Sequence, residues 1–291
     1  MNESTVCNVC ENPSTFENAV EKTEVNSNVR RFRNERFTVW RCTSCGSLHS
    51  KEPVDLDQYY ADYPFQRHEL NFSTRRAYAN RLRLLRKHGL QRHHSILDFG
   101  CGSGLFIEFL RRRGYNNAAG FDPYNDAFSD EDVLTKTFDA IVSQDVIEHV
   151  EEPRDFLATA AGLLRTAGLL AVGTPNAEEI DLGKKETFAM ELHQPYHRHI
   201  LTAIALVKLA AGHGLDVVEV YRRFYYDTLF PSVNTRFIKG YVRRLGNVID
   251  VAVEDPRPLA VMSSPALMLS AVFGYFVPAR GNMTALLRKT E

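Results

Sequence analysis

Two constellations in this 291-residue chain have residue types at spacings that chemistry requires. The first is Cys7-x-x-Cys10 and Cys42-x-x-Cys45, four thiols in two pairs with residues 11–41 between them. Each pair can form a knuckle that presents two sulfurs, and two knuckles complete a closed tetrahedral zinc site. Such a site leaves no open position, so the metal expected here is structural. The second is Ser95-Ile-Leu-Asp-Phe-Gly-Cys-Gly-Ser-Gly-Leu-Phe-Ile. An apolar strand ends there at Asp98, Gly100, Gly102 and Gly104 make a tight turn, and a helix begins near Leu105. Glycine lets a backbone approach a ligand where a Cβ would collide, and the helix start offers free N–H groups to a carboxylate or phosphate. The spacing is G-x-G-x-G, whereas the dinucleotide fingerprint is G-x-G-x-x-G. Asp122, at the end of the next apolar run in Gly120-Phe-Asp-Pro, is placed to accept hydrogen bonds from both hydroxyls of a ribose.

Histidines supply the acid–base candidates, since a hydroxyl nucleophile benefits from a nearby base. His193, His197 and His199 crowd into His193-Gln-Pro-Tyr-His-Arg-His, ahead of a helix that Thr202 can cap. His197 or His193 is expected as the base, with His197 and His199 on one side of an extended segment. His149, in Ile147-Glu-His-Val, follows the apolar run at 138–143 and is expected at the sheet edge where α/β folds bind ligands. Capping or packing of the following helix would explain Glu148 and His149 equally well.

These groups need a frame that brings them together. Apolar runs at 95–99, 118–121, 138–143, 168–173 and 215–221 alternate with helical patterns at 105–114, 153–164 and 202–213. That alternation predicts a doubly wound, mostly parallel α/β sheet. Residues 1–52 are expected to form the small zinc module, and 53–291 the main domain. A strand at 282–288 would pair beside 215–221, leaving 223–281 as an insertion. Its helical spacing and aromatics predict a cap beside the active edge, forming an apolar wall of the acceptor pocket. A homodimer contact or contact with a lipid-bearing substrate would use the same composition.

Composition narrows the function class. The chain is 44% hydrophobic and 24% charged with a formal net charge of −1, an ordinary soluble balance that gives no field to recruit nucleic acid. The basic runs at 75–92 and 111–113 read as solvated helix faces. No secretory signal is evident, so cysteine pairs point to metal and a cytoplasmic location is expected. The stretch 259–279 has no charged residue, but Pro265, Pro278 and several serines interrupt it. It reads as a buried helix pair or an apolar lid, without stable membrane insertion.

The motifs DFGCGSG, GFD and FDAIVSQDVIEHVEEP, within residues 93–220, resemble those of class I S-adenosylmethionine-dependent methyltransferases. The likeness is greatest to the branch of ubiquinone-biosynthesis O-methyltransferases and natural-product and sugar-modifying enzymes. It implies that Gly100, Gly102 and Gly104 surround the methionine part of the cofactor, in a loop with Asp98 and Cys101. Cys101 is a small space-filler there, not a metal ligand. The resemblance further implies that Asp122, between Phe121 and Pro123, binds the ribose, and that Gln144, Asp145 and Val146 lie beside the cofactor. Gln58-Tyr-Tyr-Ala-Asp-Tyr63 and Arg67 resemble the segment that folds over the cofactor, with helix packing as the alternative. The ubiquinone relatives suggest a third role for Asp145, Glu148 and His149, holding magnesium or manganese. The family also often has a histidine near the substrate where His193–His197 stand. One departure is plain: residues 123–137 are too few for the helix and strand usual there. Asp130, Glu131 and Asp132 are the acids available to contact adenine.

The function expected is methyl transfer to a small-molecule acceptor, at a hydroxyl of a natural product, sugar or quinone-like compound. Its rivals are N- or C-methylation of a nucleotide-linked sugar, with Arg198, Arg222 and Arg223 on a diphosphate; an RNA-binding zinc-ribbon protein; and an inactive cofactor-binding scaffold.

Overall fold

The computed structural model describes residues 3–61, 69–223, 225–277 and 279–290. Tyr63 and Arg67 therefore lie outside the described residues. The chain begins with β1 (Lys22–Asn26), β2 (Arg36–Arg41) and β3 (Leu48–Ser50), followed by α1 (Leu56–Tyr60) and α2 (Phe72–Lys87). The central region runs β4 (Ile96–Phe99), α3 (Leu105–Arg112), β5 (Ala118–Phe121), β6 (Phe138–Gln144), α4 (Pro153–Leu163) and β7 (Leu164–Pro175). After it come α5 (Ala189–Leu192), β8 (His199–Ile200), α6 (Ala203–Ala211) and β9 (Leu215–Tyr221). Three helices, α7 (Thr235–Arg244), α8 (Pro258–Met262) and α9 (Pro265–Phe273), precede β10 (Asn282–Lys289).

The main sheet has the order β5-β4-β6-β7-β10-β9. β5, β4, β6 and β7 are parallel, and β10 runs antiparallel between β7 and β9. Alternation along each strand sorts side chains to two faces. Leu97, Ile141, Leu170, Val172 and Leu287 join α4 and α6 in one core, whereas Ile96, Ala140, Val142, Leu169 and Leu286 join α2 and α3 in the other. Both faces are covered, which is why these strands read as continuous apolar runs. Because β9 ends and β10 begins at the edge where β4–β7 end, α7–α9 must sit at that edge.

A second sheet, β1-β2-β3-β8, is antiparallel. Its first three strands come from the cysteine-bearing segment, and β8 from the histidine-rich segment far along the chain. Cys7, Val9, Trp40 and Cys42 also pack in the same core as α4 and α6. Sheet and core thus cross the sequence boundary at residue 52.

Two expectations are corrected by the packing. The run 75–92 is not uniformly solvated: Arg81 falls on the buried stripe of α2 with Ala77 and Leu85. The stretch 259–279 does not form a buried helix pair: α8 and α9 are short, bury Leu267 and Ala271, and expose Leu259, Met262, Leu269 and Phe273. No helix among the described residues is long and apolar enough to cross a membrane. Beside α7 a groove outside the cleft is lined by Arg236, Lys239 and Arg243.

Candidate active site

The glycine turn stands at the C-terminal end of β4, beside the end of β5. Gly100 and Gly102 have φ of +82 and +52, a left-handed backbone that glycine adopts without strain. A Cβ on Gly100 would meet Val146 at 2.3 Å, while one on Gly102 would project into open space. Val146 therefore backs the turn, and Gly102 presents bare backbone to the cleft. The Phe121 carbonyl accepts from the N–H groups of Gly100 (2.8 Å) and Cys101 (3.1 Å), tying the turn to β5 while the Phe121 ring packs in the core. Asp122 Oδ2 accepts from Gly102 N–H (2.8 Å) and Oδ1 from Tyr124 N–H (2.9 Å). Both carboxylate oxygens keep acceptor capacity for a ribose. Pro123 is exposed beside it. Cys101 is half-buried against Gly120, where any Cβ would meet its Sγ at 2.7 Å, and burial pushes its thiol far up. It is a poor nucleophile.

The short stretch after Asp122 folds back onto the turn. Asn125 Nδ2 donates to the Gly102 carbonyl (2.8 Å), Asp122 N–H to that of Phe128 (3.0 Å), and the Phe128 ring occupies the space next to Gly104. Sequence reasoning missed Asn125 and Phe128. Asp130 caps a 3-10 turn over Glu131–Thr135 through Asp132 N–H (2.9 Å), and all three acids are exposed. Among the described residues no strand follows β5 on that edge.

At the end of β6, Asp145 takes a left-handed backbone (φ 56), which for a non-glycine residue marks a constrained position. Gln144 Nε2 donates to its Oδ1 (3.1 Å). Across the cleft lies Arg81, also missed. Its guanidinium is 3.9 Å from the Tyr225 ring centre and 4.7 Å from that of Phe106. Burial pushes the Asp98 carboxyl up to about 7, with Arg81 pulling the other way. The signal was available in the sequence, since an arginine recurs at the period of Ala77 and Leu85 on a buried stripe.

The histidines converge, though not as an extended run. Residues 193–198 form a turn, and His197 and His199 face different neighbours, the Glu191 and Glu151 carbonyls. The Glu148 carbonyl accepts from the N–H groups of Arg198 (2.7 Å) and His199 (3.2 Å), stitching this turn to the segment after β6. His193 Nδ1 lies 2.6 Å from Asn28 Oδ1 and His197 Nδ1 lies 2.6 Å from the Glu191 carbonyl, both fully enclosed. His149 is half-buried, and its Nδ1 is 2.8 Å from Tyr60 Oη. The Tyr60 ring stacks on Tyr124, centres 4.3 Å apart, next to Asp122. Burial first, then His197 and His193, push the His149 pKa well below the ordinary range, so it is neutral at pH 7. Arg198 is buried, with its guanidinium donating to Ser50 and to the Glu52 carbonyl, so it is not available to a diphosphate.

Glu148, His149 and His197 bring ligand atoms within 4.8 Å of one another. Asp145 stands outside this group, contrary to the expected Asp145–Glu148–His149 set. Glu148 Oε2 accepts from Thr174 Oγ1 (2.9 Å), and Oε1 is buried with no hydrogen-bond partner among the described residues, 4.0 Å from His197 Nε2. Two imidazoles and one carboxylate fit a borderline divalent ion better than magnesium.

The four cysteines form the other cluster. Their sulfurs lie 3.7 Å (Cys7–Cys10), 3.8 Å (Cys7–Cys45) and 3.9 Å (Cys10–Cys42) apart. A tetrahedron of thiolates around zinc has edges of about 3.8 Å. Ser14 Oγ donates to Cys42 Sγ (3.2 Å), and Gly46 N–H to the Cys42 carbonyl (2.9 Å), shaping the second knuckle. The donor set and spacing fit zinc.

Comparison with known proteins bears on the cleft. A family described as a methyltransferase domain matches residues 66–220. The chain is 32% identical over 167 residues to a ubiquinone biosynthesis O-methyltransferase of Caulobacter vibrioides, covering 50% of this chain and 58% of that one. It is 30% identical over 161 residues to the mitochondrial ubiquinone biosynthesis O-methyltransferase of Homo sapiens, covering 45% and 43%. The chain thus spans less than two thirds of the length of these relatives. A cyclopropane synthase structure from Mycobacterium tuberculosis is 18% identical, with a TM-score of 0.46 over 81% of this chain and 92% of that one. The matched residues run from α2 through β9 and contain the glycine turn, Asp122 and His149, and on that extent of likeness the chain belongs to the methyltransferase domain family.

Proposed function

We propose that this chain transfers a methyl group from S-adenosylmethionine to a hydroxyl oxygen of a small molecule, quinone-like, natural-product or sugar. The observation that carries the reading is one sheet edge holding the bare Gly102 backbone, the Asp122 carboxylate and the neutral His149–Tyr60 pair. When bound, S-adenosylmethionine supplies an electrophilic methyl carbon. Gly100, Gly102 and Gly104 would approach its amino-acid part, Asp122 would hold the ribose, and Gln144, Asp145 and Val146 would flank it. The acceptor hydroxyl would lose its proton as the new O–CH3 bond forms and the S–CH3 bond breaks, its electron pair staying on sulfur as a neutral thioether. His149 would take that proton as the base, with Tyr60 as its partner at Nδ1. His193 and His197, enclosed and bonded to Asn28 and Glu191, hold His149 in place. Oxygen as the accepting atom is supported by the ubiquinone-biosynthesis O-methyltransferases among the relatives. Zinc in the four-cysteine site is structural, fastening residues 1–52 to the main domain.

The test is methyl transfer from labelled S-adenosylmethionine to a panel of hydroxylated and amine acceptors. His149→Ala should lower kcat by about 10²–10⁴-fold, the usual span for a lost base. Tyr60→Phe should fall between it and wild type, with cofactor affinity unchanged in both. Transfer to amines alone, indifferent to His149→Ala, would remove the oxygen reading. Failure to bind the cofactor would remove the enzyme reading altogether.

A further inference from the structure

We propose that the α7–α9 face is a docking surface for an anionic lipid bilayer. Two features outside the cleft meet there, and neither is used by methyl transfer. The first is a groove of about 1260 Å³ between α7, α9 and the loop after β7. Eight cationic side chains line it against two carboxylates, Glu179 and Asp181. Those carboxylates are already engaged, by Arg222 and by Lys184. Lys239 is paired with Glu191 beneath the groove. Among the described residues Arg223, Arg236, Arg243, Arg244 and Arg280 have no carboxylate partner. Arg223, Arg243 and Arg244 donate to backbone carbonyls, which leaves their charge uncompensated. In a chain of net charge −1 this is a local concentration of positive charge.

The second feature is an apolar ridge along one wall of the groove. On α9, Ala266 and Ser270 face the groove and Leu267 and Ala271 are buried. Met268, Leu269, Val272 and Phe273 point outward, all at least half exposed. Leu259, Met262 and Phe276 continue the ridge at 77%, 68% and 66% exposure. Neighbouring exposed apolar side chains bordered by charge mark an interaction surface. Its helices, of five and nine residues, are too short to span a bilayer.

Charge decides between the occupants of such a face. A second copy docking by two-fold symmetry would bring arginine rims toward each other. An anionic bilayer pairs with the arginines at headgroup level and receives the ridge among the acyl chains. The face also stands at the same sheet edge as the glycine turn, so docking would hold the cleft close to the membrane surface.

The test is flotation of the whole chain with vesicles of phosphatidylcholine alone or with phosphatidylglycerol added. Arg236 and Arg280, whose side chains have no partner among the described residues, can be changed without loosening the fold. The expected result is binding to the anionic vesicles that falls with salt. Arg236→Gln and Arg280→Gln should each weaken it about five-fold. Leu269→Ser with Phe273→Ser should abolish it, with circular dichroism and cofactor affinity unchanged. Three results would overturn the proposal. One is equal binding to both vesicle types. Another is binding that inorganic phosphate displaces and the ridge variant leaves intact, which would mark a soluble phosphate ligand. The third is no vesicle binding together with a dimer that the ridge variant dissociates, which would assign the face to a second copy. None of these readouts needs turnover, so failure here is separable from failure of the methyl-transfer reading.

Discussion

Asp122 is the residue on which the cofactor reading is most open to refutation. Its carboxylate is held in place by Gly102 and Tyr124 N–H groups, so a ligand meets it already oriented. Asp122→Ala should therefore weaken S-adenosylmethionine binding by roughly 10–100-fold, the scale of charge-assisted hydrogen bonds lost, measured by calorimetry. An unchanged affinity would mean that the ribose lies elsewhere. Asp122 and the glycines were legible in sequence because turn chemistry and acid spacing are local properties. Arg81 was not read. Its neighbours Arg75, Arg76 and Arg83 are exposed, and only the packing of α2 against the sheet separates it from them. Histidine density in 193–199 is visible in sequence and points to His197 or His193 as a base. Their enclosure by Asn28, Glu191 and Tyr196 is not.

At the scale of elements, the cysteine segment and the histidine turn depend on each other. β3 pairs with β8, and His49 Nδ1 lies 3.1 Å from His199 Nδ1, both rings buried. His199 Nε2 meets the Glu151 carbonyl at 2.8 Å. Chelation by a strong zinc binder should lower the melting temperature and expose Trp40, the single tryptophan, which is fully buried against His49. Metal analysis should return one zinc per chain; its absence, with the fold intact, would refute a structural metal. The histidine pair adds a pH dependence. Burial pushes His49 well below the ordinary histidine range and His199 down to about 4. The folded state thus binds fewer protons than the unfolded chain at mildly acid pH. Stability from this pair is full above about 6.5 and is lost as pH falls toward 4, by up to about 1.4 kcal/mol per pH unit for each ring. Trp40 fluorescence in denaturant titrations at pH 7, 6 and 5 (roughly spanning that window) should show the midpoint falling. A flat midpoint would mean the pair is protonated without cost.

At the scale of the whole molecule, the last strand holds the sheet together. β10 lies between β7 and β9, and its Met283, Ala285, Leu286 and Leu287 are fully buried. Burying three large apolar side chains contributes about 5–9 kcal/mol, comparable to the entire stability of an ordinary domain. A chain truncated before Asn282 should accordingly fail to fold, judged by soluble yield and far-ultraviolet circular dichroism. A folded truncation would show that β7 and β9 can pair without it. Sequence alone determined the doubly wound sheet, the strand at 282–288, the glycine turn and the cysteine pairs. Each is written in periodicity, turn residues or ligand spacing within a short window. Tertiary structure alone decided that β8 completes the cysteine segment's sheet, that Glu148, His149 and His197 meet while Asp145 stands apart, and that α7 turns arginines to its groove. Those outcomes depend on which faces of distant segments come into contact, and the free energy that selects them is collected only when the whole chain packs.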